Sequence, residues 1–209
     1  MTASKRPGRQ ARGLPDLPIT SWAVLGMLSF GKPMTGYDVK KWSDSVLHLF
    51  YWSPALSQVY LELRRLEEHG LATSDLVTDN DVRPRRVYQI SPEGKTALDL
   101  WLDTAPVEPP VLKHTVALRL WLGQRANPER LRQILLEQNE RSRELAASAE
   151  RIRIGSHRYP QYAFQELVAE WAQKYYETEE KSALELLARI EEMTGLTEAD
   201  ELHRDDNPE

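Results

Sequence analysis

Apolar residues return every three or four positions through most of this chain and every second position only in one short stretch, so the pattern predicts a mostly α protein with a single small β element. The best-marked helix runs from Ser53 to Gly70. Ser53 is placed to cap it, Pro54 fits the first helical position, where its missing N–H has no partner, and Gly70 supplies a left-handed stop. Val59, Leu63 and Leu66 form one stripe toward a core; Ser57, Gln58, Leu61, Glu62 and Arg65 lie off it. Two shorter helices precede it. One, over Thr20–Leu28, is apolar enough to be buried and follows a Ser/Thr cap; the other starts at Thr35-Gly36-Tyr37-Asp38 and carries Tyr37, Val39 and Trp42 among its apolar positions.

Beyond Gly70 the period shortens. Leu71–Val77 and Val87–Ile90 read as two strands of a hairpin whose long tip holds Asp79, Asp81, Arg83, Arg85 and Arg86. Ser91-Pro92 opens a helix that carries Leu98 and Trp101, and Pro106, Pro109 and Pro110 then interrupt regular structure. The remainder is helical: an apolar segment over Val111–Leu122 expected to be mostly buried, a long helix from Asn127-Pro128 broken at Gly155–Pro160, and a last long helix. Leu131, Leu135, Leu145 and Ile152 on the first long helix, and Phe164, Trp171, Tyr175 and Leu186 on the second, keep spacings of three and four. These eight are the candidate dimerisation residues. The expected organisation is a disordered basic arm over 1–17, a first domain over 18–104, a linker over 105–110, a helical dimerisation domain over 111–195 and an acidic tail over 196–209.

Three helices followed by a hairpin suit a winged helix-turn-helix, with short polar side chains at the start of the third helix and a basic residue further along facing a major groove. The net charge of −5 runs against a general polycation mechanism, but it is uneven: residues 1–105 hold 13 Lys+Arg against 12 Asp+Glu, and residues 106–209 hold 14 against 20. A few placed cations must therefore carry any contact with DNA. Candidates are Ser53, Ser57, Gln58, Tyr60 and Arg65 on the third helix, Lys40 and Lys41 on the second, and Arg83, Arg85 and Arg86 on the hairpin, whose forked donors suit phosphate oxygens. Asp79 and Asp81 oppose that contact. Tyr60 suits either the groove or the packing beneath the helix.

Other chemistry finds no support. Zero cysteines exclude disulfides and thiolate sites, and His48, His69, His114, His157 and His203 make no metal-ligand spacing, so no metal or cofactor is expected. Phosphate-cradling and nucleophile motifs are missing, which argues against an enzyme. There is no apolar run of spanning length and no secretory signal, so a cytoplasmic protein without a membrane partner is expected. Trp22, Trp52, Trp101 and Trp121 are ordinarily core or interface residues. Their functional reading is a pocket for a flat small-molecule effector.

Gly36-Tyr37-Asp38, Val59-Tyr60 then Leu63, Leu66-Glu67-Glu68-His69-Gly70-Leu71, Arg85-Arg86-Val87-Tyr88, and Ile90-Ser91 with Gly94 and Leu98 together resemble the PadR family of transcriptional regulators over about residues 19–103. Residues 107–193 resemble the helical C-terminal domain of its virulence-activator-like branch. The resemblance implies a homodimer on a palindromic operator in double-stranded DNA, with 54–69 as reading helix and 72–90 as wing, most often acting as a repressor. The rival is a winged helix used only for protein interaction.

Overall fold

The computed structural model describes residues 13–51, 53–78 and 84–195. The chain divides into two compact units, at Pro110 and Val111. The first contains α1 (Ile19–Leu28), α2 (Gly36–Ser45), a 3-10 turn (Leu47–Leu49), α3 (Leu56–Glu68), β1 (Ala72–Val77), β2 (Arg85–Ile90) and α4 (Pro92–Thr104). The second contains α5 (Thr115–Trp121), α6 (Pro128–His157) and α7 (Ala163–Thr194), with 3-10 turns at Gly123–Arg125 and Pro160–Tyr162.

Local chemistry sets most boundaries of the first unit. Thr35 and Asp38 form a reciprocal capping box at α2: Thr35 N donates to Asp38 Oδ2 (2.8 Å) and Asp38 N to Thr35 Oγ1 (3.1 Å). Gly70, at φ +69°, ends α3 in a Schellman turn, with Leu71 N donating to Leu66 O and Gly70 N to Glu67 O. The strands pair antiparallel from Ala72 opposite Ile90 to Val77 opposite Arg85, and a bridge between Met34 and Tyr88 adds a third short strand, completing the winged-helix sheet. Ser91 caps α4 through Gly94 N (2.9 Å). A Cβ at Gly94 would fall onto the Leu71 carbonyl, so only glycine lets α4 approach the end of α3 this closely. Trp22, Val24, Leu25, Leu28, Val39, Val59, Leu63, Leu66, Tyr88 and Leu98 make one core.

Four expectations are corrected here. Helix α3 starts at Leu56, not Pro54, with Ala55 as its uncapped N-cap, because the Ser53 hydroxyl donates instead to Asp44 Oδ1 (2.6 Å) at the end of α2. Helix α1 follows Pro18 without a side-chain cap, since Thr20 and Ser21 are bonded to Glu62. Tyr37, named with Val39 and Trp42 among the apolar positions of α2, is exposed. Of the expected arm, residues 1–12 lie outside the described residues, and in the rest Leu14 and Leu17 pack against the core.

In the second unit, α6 and α7 form an antiparallel hairpin: Arg132 Nε pairs with Glu191 Oε1 (2.9 Å) at one end and His157 Nδ1 with Glu166 Oε1 (2.8 Å) at the other. Buried Ala146, Ala149, Ala169, Ala172 and Ala183 let the helices approach closely, and Leu135 with Leu187 closes the seam near α5. His114 ties α5 down, accepting Ala117 N at Nδ1 (3.0 Å) and meeting Glu179 Oε2 at Nε2 (2.8 Å). The segment expected to be buried over 111–122 is a seven-residue helix with no buried residue, and Trp121 is 80% exposed. The break expected over Gly155–Pro160 falls after His157, so α6 runs on through Gly155 to His157, with Arg158 as its C-cap. Among the described residues no helix is long and apolar enough to cross a membrane.

Candidate nucleic-acid interface

Helix α3 stands between α1, α2 and the hairpin with three different sides. Val59, Leu63 and Leu66 are fully buried in the core. A second side is closed by Glu62, placed by the sequence among the outward residues but only 1% exposed. Four donors converge on its carboxylate: Thr20 Oγ1 (3.1 Å) and Gln58 Nε2 (2.6 Å) on Oε1, Ser21 Oγ (2.5 Å) and Arg65 Nη1 (2.5 Å) on Oε2. Burial by itself raises the carboxyl pKa; the bonds from Ser21, Gln58 and Thr20 and the Arg65 charge outweigh it and hold the group ionised below its ordinary range. Glu62 therefore fixes the roll of α3 against α1.

That roll leaves Ser57, Leu61 and Arg64 exposed. At 100° per residue these three fall within about 60° of arc, and Glu62 lies on the far side of the helix. Arg64 escaped the sequence reading, which chose its neighbour Arg65; its seven-residue spacing from Ser57 was the available signal. Gln58 and Arg65 are half-buried with donors on Glu62. Tyr60 keeps part of its surface, and its ring covers Gly36, where a Cβ would lie 2.5–3.0 Å from ring carbons.

Beside α3 lies the wing. Arg85 and Arg86 of β2 are exposed. Arg86 Nη1 donates to Ser74 Oγ (3.0 Å) and lies 3.8 Å from Glu67 Oε2. Arg85 and Lys41 both add to the pull of the Thr35 hydrogen bond, which chiefly holds Asp38 below the usual carboxylate range, so α2 and β2 present cations around one carboxylate. Lys40 pairs with Asp44 on its own helix, which also receives Ser53. The first unit thus presents an apolar and polar ridge on α3, Ser57 to Arg64, with Arg86 beside Glu67 of the same helix, and a second group of cations, Lys41 and Arg85, around Asp38. Arg83 lies outside the described residues.

The remaining candidates are scattered. Trp22 and Trp101 stack ring on ring in the core at 5.4 Å and 9°, Trp52 lies outside the described residues, and Trp121 belongs to the second unit. Leu131 and Leu135 are buried inside their own unit, Leu145 and Ile152 are half-buried, and Phe164 (80%), Trp171 (53%), Tyr175 and Leu186 are exposed along α7. Among the described residues no group of carboxylates and histidines is placed to hold a metal.

Residues 24–100 match the family described as transcriptional regulator PadR-like. The negative transcriptional regulator PadR of Bacillus subtilis (strain 168) is 28% identical over 103 residues, 49% of this chain, and the match spans 56%, little more than half, of that relative's length. Crystalline Bacillus subtilis PadR in complex with operator DNA has the same fold, with a TM-score of 0.69 at 21% identity over 83% of this chain and 99% of that one; the same regulator is also known in complex with p-coumaric acid, with a TM-score of 0.62 at 22% identity over 83% and 99%. The Vibrio cholerae virulence activator AphA gives a TM-score of 0.64 at 27% identity, over 83% and 99% of the two chains. Residues 24–100 are thus similar to the transcriptional regulator PadR-like family, and the winged-helix unit is the part of the chain that carries the likeness.

Proposed function

We propose that the chain is a cytoplasmic, homodimeric regulator that binds a palindromic operator in double-stranded DNA, with α3 in the major groove and the wing on the adjoining backbone. The observation that carries this reading is the α3 surface: a roll locked by Glu62 leaves one narrow polar and apolar line in solvent, with wing cations beside it. A structural helix would bury Leu61 or pair Arg64; neither happens among the described residues. The exposed Phe164, Trp171 and Tyr175 line on α7 supplies the twofold surface, because its hairpin partner α6 packs on the alanine side. Interleaved Asp38 and Glu67 keep non-specific affinity low, so binding depends on sequence more than on charge.

Repression is the proposed direction, supported by the negative regulator from Bacillus subtilis. Release by a small aromatic acid is the proposed control, supported by the p-coumaric acid complex of that relative. The test is selection of bound duplexes from a random pool by the purified full chain at stated salt. A recurring inverted repeat is expected, and its affinity for the chain should fall when p-coumaric acid is titrated in. Enrichment of no motif would overturn the reading and favour a winged helix that binds proteins only.

A further inference from the structure

Seven residues of helix advance about 10.5 Å, so Ser57 and Arg64 stand about three base-pair steps apart at ~3.4 Å per step. Leu61 lies between them on the same outward line, and 44% of it is exposed. The line ends at exposed Glu68, one turn on, whose charge keeps phosphates away from the end of the helix. Of the donors that α3 carries, Gln58 Nε2 and Arg65 Nη1 are held by Glu62, and Glu62 is itself anchored to α1 by Thr20 and Ser21. Turning Gln58 or Arg65 to the bases would strip a buried carboxylate of its partners. Among the described residues Arg64 makes no bond to Glu62 that turning to the bases would break.

Resting on the groove reading of α3, we infer that Arg64 and Leu61, not Gln58 and Arg65, set the sequence preference. Arg64 donates its guanidinium fork to O6 and N7 of a guanine, and Leu61 packs on the 5-methyl group of a thymine within the same three steps. Ser57, at the start of the helix, contacts either a base edge or a phosphate. Glu62 is a positioning residue: it touches no DNA, and it holds two competing donors off the bases. Each half-site is therefore short, about four base pairs of direct readout, with a guanine and a thymine within it.

The experiment uses the full chain and the duplex it selects from the random pool. Each guanine is replaced in turn by 7-deazaguanine, which lacks the N7 acceptor, and each thymine by uracil, which lacks the methyl group. For the wild-type chain one guanine per half-site should prove sensitive, with affinity falling about 5- to 150-fold, the range for one bidentate base contact. The same replacement should cost nothing further in Arg64→Ala, and the sensitive thymine should lose its effect in Leu61→Ala. Equal sensitivity to 7-deazaguanine in wild type and Arg64→Ala would overturn the assignment. So would an Arg64→Ala chain that weakens on every duplex alike with a salt slope reduced by about one, the signature of a phosphate contact. These outcomes leave the groove reading standing, whereas failure to select any motif removes that reading first. The wild-type chain alone already tests the assignment without any variant, because a half-site with no guanine sensitive to 7-deazaguanine would also overturn it.

Discussion

Glu62→Gln tests the clamp that sets the orientation of α3. The substitution keeps the shape of the side chain and one carbonyl acceptor, so the bonds from Gln58 and Thr20 to that oxygen survive. At the other oxygen, the amide nitrogen now faces Ser21 Oγ and Arg65 Nη1, both 2.5 Å from Glu62 Oε2. The serine hydroxyl can turn to accept, but it is fully buried and loses its own acceptor; Arg65, a third exposed, recovers water. One buried donor without an acceptor costs about 1–3 kcal/mol, and the arginine adds little. Backbone amides of α1 and α3 should then exchange with deuterium about 5- to 150-fold faster at neutral pH, while α6 and α7 in the same sample stay unchanged as an internal control. The sign with pH follows from the carboxyl. Its folded pKa lies below the ordinary 4.5, so its stabilisation is complete above that value and fades as pH falls toward the folded one. The gap between wild type and Glu62→Gln should be constant from neutral pH down to about 5 and close below 4.5. Equal exchange of α1 and α3 in the two proteins at neutral pH would refute the clamp.

Other consequences are open to simpler tests. Gly94→Ala should destabilise the first unit by an amount near the upper end of about 1–3 kcal/mol, read by urea unfolding, because the new Cβ meets the Leu71 carbonyl; an unchanged midpoint would contradict that close approach. Arg85→Ala and Arg86→Ala should each weaken binding to all duplexes alike and lower the salt slope of binding by about 0.9, and an unchanged slope would remove the wing from the backbone contacts. Trp171→Glu should leave helix content intact, since the side chain is exposed, but turn the proposed homodimer into a monomer in sedimentation; a mass equal to that of the wild-type chain would remove this face of α7 from the contact.

The elements that could be read in the sequence are those whose signals are local. The Thr35-Gly36-Tyr37-Asp38, Ser91-Pro92 and Asn127-Pro128 starts and the Gly70 stop each involve residues close together in sequence, and the structure uses all of them. What misled was long-range competition for polar groups. Ser53 looked like a cap until Asp44, nine residues back, took its hydroxyl. Glu62 looked solvent-facing because the two hydroxyls that bury it lie more than 40 residues away on α1. Adjacent Arg64 and Arg65 differ in sequence only in that Arg64 lies seven residues from Ser57; the roll of the helix, set by Glu62, gives that spacing its weight. On α7 the large residues at heptad-like spacing, named for dimerisation, stay exposed, while Ala169, Ala172 and Ala183 face α6, since small side chains allow the closer helix approach. Similar competition explains α5: His114 and the Val116 and Leu120 side hold it to the hairpin, and Leu118 and Trp121 face away.

Hydroxyl-radical footprinting of the full chain on its selected duplex tests the central claim most directly. Two matched α3 helices related by a twofold axis should protect two windows of equal depth, centred one duplex turn of about 10–10.5 base pairs apart or a multiple of it, and both windows should fade together when Arg64 is replaced. A single protected window, or uniform protection along the duplex, would contradict the account.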